Sequence, residues 1–262
     1  MKLVLLAAGR GTRISRYLEG RPKCTVDIGG QPLIEYTIEL FNKNGINDIA
    51  IVLGYEGQYI REALKGKDVK FYYNPFYDVT NSVASIWFAK DFFEPAEDVL
   101  IMNADVFLEQ KTLDIILAEK KSPVLFSDDT RKEESDYKFY YENDILIKHG
   151  KELTGDDITG EYVGIAKLSS DFLPEFLQRL EILIDSQQHG LWWENILYSM
   201  IEEQPIHVKN VAPNFWGEVD YIEDYERIMA FIKNNKITVK EGESKDSFSL
   251  FLIPNPHITL LG

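Results

Sequence analysis

Short apolar runs alternate with segments of helical periodicity along the first half of the chain. The runs at 3–8, 49–53, 69–73, 99–102 and 124–126 predict buried strands, and the segments at 33–43, 59–64, 82–93 and 112–119 predict amphipathic helices. Strands that alternate with helices are joined by right-handed crossovers and form a mainly parallel sheet covered on both faces. The pattern therefore predicts an α/β fold.

The second half is less regular. Strands are predicted at 138–141, 145–148, 162–168, 207–211 and 215–219, and helices at 172–183, 194–201 and 224–232. The turn-forming run Glu142-Asn143-Asp144 separates the first two strands, which predicts a small antiparallel hairpin.

No repeat of fixed period and no Ser/Gly-rich or Pro-rich linker divides the chain before its end. We expect one domain over residues 1–236, followed by a tail over 237–262 whose role the sequence leaves open. The tail begins with a charged run at 240–246 and continues with an apolar run at 248–253. An edge strand, a dimer contact and the start of a further region are equally compatible with it.

Composition narrows the class of protein. A net charge of −15 over 262 residues disfavours nonspecific binding to nucleic acid or to anionic membranes, which needs dense Lys and Arg. A single cysteine, Cys24, excludes an intramolecular disulfide framework and a cysteine-based zinc site. The apolar run 3–8 imitates part of a signal peptide, but a buried strand entering a glycine-rich turn explains it better. We expect a cytoplasmic protein without nucleic-acid or membrane partners, and a homodimer is left open.

A glycine-rich turn follows the first predicted strand and carries the first chemical signal. The run Leu6-Ala7-Ala8-Gly9-Arg10-Gly11-Thr12-Arg13 precedes Arg21-Pro22-Lys23. Glycines let backbone N–H groups approach phosphate oxygens, and Arg13 and Lys23 supply positive charge to a polyphosphate. The spacing matches neither a Walker loop nor a three-glycine dinucleotide fingerprint. The alternative is an ordinary connection between a strand and a loop.

Acidic residues at the ends of two predicted strands carry the second signal. Asp105 ends Asn103-Ala104-Asp105 after a buried strand, where ligands bind in open α/β sheets. Glu218 and Asp220 alternate along a later strand and so point to one face. Together they are suited to hold Mg²⁺ with phosphate oxygens and water. The alternatives are a loop or helix-capping role for Asp105 and a cap of the following helix for Asp220.

These motifs together resemble the nucleotidyltransferases that activate phosphorylated small molecules with a nucleoside triphosphate, over about residues 1–233. The segments Asn74-Pro75 and Thr80-Asn81-Ser82-Val83-Ala84-Ser85-Ile86-Trp87 resemble the branch of bacterial phosphocholine cytidylyltransferases. The resemblance implies a Rossmann-like mixed, mainly parallel sheet flanked by helices, of the nucleotidyltransferase or GT-A-like type. It also implies CTP as the nucleotide and Mg²⁺ as the cofactor.

The resemblance also implies roles for individual residues. The catalytic cations would be Arg13 and Lys23, and the metal ligands Asp105 and Asp220. The nucleotide-binding residues would be Leu6, Ala7, Ala8, Gly9, Gly11, Thr12, Asn81, Ser85 and Asn103. The acceptor-binding residues would be Tyr162, Trp192, Trp193, Glu194, Trp216 and Glu218. Aromatic rings with a carboxylate suit a quaternary ammonium group, although Trp192 and Trp193 are equally suited to pack the following helix.

The function that follows is transfer of CMP from CTP to a small phosphorylated acceptor such as phosphocholine, with release of pyrophosphate. Other acceptors of the family are phosphoglutamine, 2-aminoethylphosphonate, inositol phosphate and sugar phosphates, and the sequence does not separate them. A regulatory nucleotide-binding module that has lost catalysis is the alternative of another class. A retaining sugar transferase is disfavoured, because such enzymes present an Asp-x-Asp pair where this chain has Asn103-Ala104-Asp105.

Overall fold

The structure is a computed structural model, and it describes residues 1–14, 17–132, 135–235 and 237. Except for residue 237, the tail expected at 237–262 lies outside the described residues, as does its predicted linker. The strands are β1 Lys2–Ala7, β2 Asp48–Leu53, β3 Lys70–Tyr73, β4 Val99–Asn103, β5 Val106–Leu108, β6 Val124–Asp128, β7 Lys138–Glu142, β8 Ile145–Gly150, β9 Gly160–Leu168, β10 His207–Asn210 and β11 Trp216–Glu218. The helices are α1 Leu33–Lys43, α2 Gly57–Ala63, α3 Ser82–Phe88, α4 Gln110–Ala118, α5 Leu173–Asp185, α6 Asn195–Tyr198 and α7 Ile222–Asn235.

Nine strands form one mixed sheet in the order β3-β2-β1-β4-β9-β6-β10-β8-β7. The first four run parallel, β9 runs antiparallel between β4 and β6, and β10 is parallel to β6. β7 and β8 form the antiparallel hairpin that the sequence predicts, and β7 also pairs with β9. The hairpin turn places Asn143 and Asp144 at positive φ, a conformation that these two residue types tolerate better than most. The predicted mixed α/β sheet is therefore present.

Side chains that alternate along the central strands build a core on each face of the sheet. Val4 and Leu6 of β1 pack with α3, α5 and α6, whereas Leu3 and Leu5 pack with α1, α2 and α4. All of β1 is buried, as expected of a parallel strand with helices on both sides. A third, smaller core packs α7 against Phe107.

The structure differs from the predicted elements at two places that matter for the site. The helix predicted at 82–93 ends at Phe88, and only a short helical turn, Lys90–Phe93, follows. The strand predicted at 215–219 leaves the main sheet and pairs with β5, which the periodicity did not predict because β5 has only three residues. This second sheet returns the chain beside Asp105, since Val219 N donates to Asp105 O at 3.0 Å.

Candidate active site

The carboxyl ends of β1 and β4 place the two sequence motifs side by side. Leu6 pairs with Asn103 in the parallel register, and Ala104 N donates to Leu6 O at 3.0 Å. The glycine-rich turn and the Asn103-Ala104-Asp105 run therefore share one edge of the sheet, the edge at which open α/β sheets bind ligands.

Gly11 gives Lys23 its path into the site. Gly11 adopts φ +58°, and a Cβ there would lie 2.5 Å from Lys23 Cγ. Any larger residue at this position would be strained and would also displace the lysine stem. Gly9 has open space around its Cα, with no atom within 4 Å of an added Cβ. The two glycines thus serve different needs, a close approach at one and an open surface at the other.

Lys23 lies between two carboxylates from distant parts of the chain. Its Nζ donates to Asp105 Oδ2 at 3.1 Å and also bonds Asp220 Oδ1. Burial by itself lowers the pKa of the ammonium, but the charges of Asp105 and Asp220 outweigh it and raise the pKa above its ordinary value. Lys23 is therefore a fixed cation at the end of β4.

Arg13 extends this network towards the hairpin. Its Nη1 lies 2.7 Å from Asp220 Oδ2 and 3.3 Å from Asp136 Oδ2, and Lys151 Nζ approaches the same Asp136 oxygen at 2.8 Å. Arg13 is more exposed than Lys23, so its ion pairs are more strongly screened by water and salt. The turn after β1 and the β7–β8 region are therefore linked through charge.

Glu218 adds a third acid beside this pair. It is half-buried, and its pKa is raised well above the ordinary value, first by burial and then by the charges of Asp105 and Asp220, with Lys23 opposing them. Across the described residues, however, no three Asp, Glu, His or Cys side chains form a ready-made metal cluster. Two carboxylates with a third nearby fit Mg²⁺, which keeps waters and takes phosphate oxygens as its other ligands.

The network borders an open cleft of about 220 Å³. The predicted site residues that line it are Leu6, Ala7, Ala8, Gly9, Gly11, Lys23, Asn81, Ser85, Asn103, Asp105, Trp192 and Glu218. Lining residues to which the sequence analysis assigned no binding or catalytic role are Pro22, Cys24, Asn74, Tyr77, Thr80, Ser82 and Ala104. Arg13 and Asp220 adjoin the cleft through their ion pairs, and Thr12 belongs to the same turn without lining it.

The wall made by residues 74–85 is held by one buried amide. Asn74 is 1% exposed, and its Oδ1 accepts from Phe76 N at 2.9 Å while its Nδ2 donates to Thr80 Oγ1 and Ser85 Oγ, both at 3.1 Å. Residue pairs such as Asn74-Pro75 are typical of a turn, which signals the bend in sequence. The three hydrogen bonds appear only once the segment is folded.

Gly54 joins this wall to the turn after β1. An added Cβ at Gly54 would lie 2.6 Å from Ala8 O and 2.7 Å from Tyr77 Cβ, and both Ala8 and Tyr77 line the cleft. A glycine directly after a buried strand is the sequence signal for such close packing. Sequence reasoning missed Gly54, because the position of a glycine does not reveal which distant segments pack against it.

The six residues predicted to bind the acceptor divide into four groups, of which the last is Trp216 alone. Trp192 is 40% exposed, and with Glu218 it lines the cleft. Trp193 and Glu194 lie beneath the cleft surface, where Trp193 Nε1 donates to Asn103 Oδ1 at 3.2 Å. The structure buries Tyr162 with its hydroxyl beside the Glu194 carboxyl, outside the lining of the cleft.

Trp216 lies away from the other five. It is 5% exposed, and its Nε1 donates to Asp128 Oδ2 at 2.7 Å. Because Asp128 belongs to β6, this hydrogen bond gives Trp216 a role in holding β11 against β6. The structure does not bring Trp216 to the cleft.

Glu194 is a buried acid close to Asn103 and Tyr162. Burial raises its pKa to about 7, while its own backbone and the nearby Asn103 and Tyr162 side chains act in the opposite direction. A carboxyl group with this pKa changes charge near neutrality. Glu194 is therefore a buried titratable group beside Asn103, which lines the cleft.

The described part of the chain has no helix long and apolar enough to cross a bilayer.

Comparison with known proteins shows which family shares these features. A family model described as a MobA-like NTP transferase domain matches residues 3–180. CTP:phosphoglutamine cytidylyltransferase of Campylobacter jejuni is 29% identical over 86% of this chain and 98% of its own, and choline-phosphate cytidylyltransferase of Streptococcus pneumoniae is 28% identical over 89% and 99%.

A solved structure agrees on the fold. CTP:phosphocholine cytidylyltransferase from S. pneumoniae superposes with a TM-score of 0.70 at 24% identity, covering 88% of this chain and 98% of that one. The resemblance to cytidylyltransferases that the sequence motifs indicated, and the mixed α/β fold that it implied, are both confirmed.

Proposed function

Because this chain belongs to the MobA-like NTP transferase family, we propose that it is a cytidylyltransferase, which transfers CMP from CTP to a small phosphorylated acceptor and releases pyrophosphate. The observation that carries the proposal is the position of Lys23. Its ammonium lies at the end of β4, between Asp105 and Asp220, and its stem lines the same cleft as the glycine-rich turn. Cations, main-chain amides and acids thus converge where a triphosphate and a second anion would meet.

The reaction needs no covalent enzyme intermediate. A phosphate oxygen of the acceptor, already ionised at neutral pH, forms a bond to the α-phosphorus of CTP as the bond from that phosphorus to the pyrophosphate oxygen breaks. The barrier comes from repulsion between two anions and from charge on the leaving group. Lys23 and Arg13 lower it by binding that charge in fixed positions, and the turn after β1 orients the triphosphate.

Asp105 and Asp220 would hold Mg²⁺, with Glu218 close enough to assist. The bound ion would supply charge neutralisation on the triphosphate. Both carboxylates bond Lys23 in the structure, so metal binding requires the ammonium to give up at least part of this contact. The phosphates of the substrates are the natural partners for the released ammonium.

The part of the cleft lined by Trp192 and Glu218, here called the acceptor end, favours an amine-bearing acceptor. The Trp192 ring is partly exposed, the carboxyl group of Glu218 lines the same cleft, and Glu194 is buried beside Asn103, which also lines it. An aromatic face beside acids suits a cationic group. We therefore place phosphocholine and similar phosphorylated amines first, and the relatives that act on phosphoglutamine and choline phosphate are consistent with this class.

The test is a screen of pyrophosphate release. CTP, UTP and ATP are each offered with Mg²⁺ and with phosphocholine, phosphoglutamine, 2-aminoethylphosphonate, inositol phosphate and glucose 1-phosphate. We expect release with CTP and at least one phosphorylated amine. No release with any pair, together with measurable CTP binding, would support the non-catalytic nucleotide-binding module instead. A preference for glucose 1-phosphate or inositol phosphate would overturn the amine assignment and leave the nucleotidyl transfer standing.

A further inference from the structure

Lys151 follows directly after β8 and contacts a residue of the cleft lining. Lys138 of β7 donates from its Nζ to Lys151 O at 3.2 Å and to Leu153 O at 3.1 Å, and these bonds hold the main chain of this segment. The side chain of Lys151 is 41% exposed, and its Nζ lies 5.3 Å from the centroid of the Trp192 ring. Lys151 itself is outside the lining, so its ammonium group approaches Trp192 from the side of the hairpin.

Asp136 binds the same ammonium group. Its Oδ2 lies 2.8 Å from Lys151 Nζ and 3.3 Å from Arg13 Nη1. Burial acts to raise the pKa of Asp136, but the hydrogen bonds and charges of Lys151 and Arg13 outweigh it and lower this pKa. Asp136 is therefore an anion at neutral pH, and one nitrogen of the chain already lies between a carboxylate and an aromatic ring.

The contacts of Lys151 show what this position binds. A carboxylate and an aromatic ring are the two kinds of partner that recognise an ammonium group. Both Asp136 and Trp192 are partly exposed, so each contact with Lys151 is weak and exchanges readily. Asp136 also stays paired with Arg13 when Lys151 leaves. Replacement of Lys151 by the ammonium group of a ligand therefore costs little.

Ion pairs connect this position to the cations proposed to bind phosphate. Arg13 Nη1 lies between Asp136 and Asp220, at 2.7 Å from Asp220 Oδ2, and Asp220 also bonds Lys23. A phosphorylated amine carries a charge for each end of this chain of ion pairs. Its phosphate suits Arg13 and Lys23, and its ammonium group suits Asp136.

We propose that Asp136 and Trp192 form the subsite for the ammonium group of the acceptor, and that Lys151 is a specificity-determining residue that fills this subsite until the acceptor replaces it. This inference rests on the proposed function in one respect, that the acceptor is a phosphorylated amine. An internal competitor lowers the apparent affinity of a ligand by the fraction of molecules in which the subsite is free. Lys151 thus raises the KM for acceptors with an ammonium group.

The variant Lys151→Met removes the competing charge and keeps an unbranched side chain. The KM for phosphocholine and for 2-aminoethylphosphonate is expected to fall by about three- to tenfold, because an exposed ion pair and an exposed cation–π contact no longer compete. The KM for CTP is expected to stay unchanged. Initial rates of pyrophosphate release measure both constants, and an unchanged or higher KM for both acceptors overturns the proposal.

Lys148→Met is the matched control. Lys148 lies on β8, is 49% exposed, pairs with Asp157 at 2.9 Å and lies 5.3 Å from the centroid of the Tyr140 ring. These contacts match those of Lys151, but none of these residues lines the cleft. The control is expected to keep the wild-type KM for the acceptors. An equal fall in both variants would come from loss of surface charge in general and would overturn the proposal.

Two double variants test the partners that form the subsite. Trp192→Ala and Asp136→Asn are each combined with Lys151→Met, so that no competitor is present. Each is expected to raise the KM for the acceptors several-fold above that of Lys151→Met alone, because the ammonium group loses a ring or a charge. A KM that stays as low as in Lys151→Met in either double variant removes that residue from the subsite and overturns the proposal.

Equilibrium binding separates the failure of this inference from the failure of the proposed function. A wild-type protein that transfers CMP to no acceptor defeats the proposed function. Titration calorimetry with phosphocholine and with 2-aminoethylphosphonate, in the absence of CTP, still tests the subsite. Lys151→Met is expected to bind these acceptors about three- to tenfold more tightly than the wild type. Equal affinity, or no binding by either protein, overturns the inference.

Discussion

The two ends of the cleft are built by different means. At the end proposed to bind the nucleotide, the turn after β1 and the 74–85 wall use glycines, main-chain groups and the buried amide of Asn74. At the end proposed to bind the acceptor, the chain uses large side chains, with Trp192 partly exposed and Glu194 and Tyr162 buried. Main-chain geometry changes only when the fold changes, whereas a side chain changes with one substitution. The first end is therefore harder to alter by single substitutions than the second.

The ends are also joined by direct hydrogen bonds. Asn81 N donates to His189 O at 2.9 Å and Val83 N to Leu191 O at 3.2 Å, so the start of α3 is anchored to the segment that carries Trp192. Lys23 lines the cleft and Arg13 adjoins it through Asp220, and both are proposed to bind the phosphates of the two substrates. Variants that affect one end of the cleft and not the other test the difference between the ends best. Variants of Lys23 and Arg13 do not separate the ends, because both substrates are proposed to use these cations.

The largest effect is expected for Lys23→Ala, because it removes the shared cation. The variant is expected to lower turnover by about 10²–10³-fold, as for loss of one preorganised donor to a developing charge. Steady-state rates of pyrophosphate release measure it. Lys121→Ala is the control, because Lys121 makes an exposed pair with Asp144 elsewhere. Turnover near that of the wild type would show that Lys23 does not bind the reacting phosphates.

An intermediate effect is expected from a pair of variants that address one end each. Gly54→Ala adds a Cβ between Ala8 and Tyr77, and overpacking of this kind costs about 1–3 kcal/mol, so the KM for CTP is expected to rise by roughly tenfold. Trp192→Ala removes a partly exposed aromatic ring, over which Lys151 Nζ lies at 5.3 Å from the centroid, so the KM for an amine acceptor that replaces this ammonium is expected to rise several-fold, in line with about 1 kcal/mol for such a contact.

Each of these two variants serves as the control for the other. Gly54→Ala should leave the KM for the acceptor unchanged, and Trp192→Ala should leave the KM for CTP unchanged. Parallel changes of both constants in both variants would mean that the two ends act as one unit and that the comparison does not hold.

The smallest effect is expected in the pH dependence of the free energy of unfolding, through Glu194. The folded protein raises the pKa of Glu194 from about 4.5 to about 7, so the folded state holds a proton that the unfolded chain releases. The contribution of Glu194 to the free energy of unfolding therefore falls as pH rises from about 4.5 to 7, by at most about 3 kcal/mol. Glu194→Gln should flatten this decline in denaturant titrations taken across that range.

Glu161 provides the internal control for this measurement. Burial also raises the pKa of Glu161 to about 7, and that group stays in the variant. The decline should therefore become shallower in Glu194→Gln without disappearing. An unchanged slope would mean that Glu194 is ionised in the folded protein throughout this range.

Elements with strong periodicity and the charged motifs could be predicted from the amino-acid sequence. The alternation of β1, α1 and β2 predicted the parallel sheet, and the glycine-rich turn with Lys23 and Asp105 indicated where chemistry would occur. These features are local, because a buried strand, a turn and the acid after a strand each depend on neighbouring residues. The motif resemblance then indicated the family, and the comparison with known proteins confirmed it.

Which side chains line the cleft could not be predicted and is visible only in the folded chain. Trp192 and Trp193 are adjacent in sequence, yet one lines the cleft and the other is buried, and Trp216 is used to hold β11 instead. The close approach at Gly54 and the three hydrogen bonds of the Asn74 side chain became visible only in the folded chain. The physical reason is that burial, hydrogen-bond direction and close approach belong to pairs of segments, and composition or periodicity describes only one segment at a time.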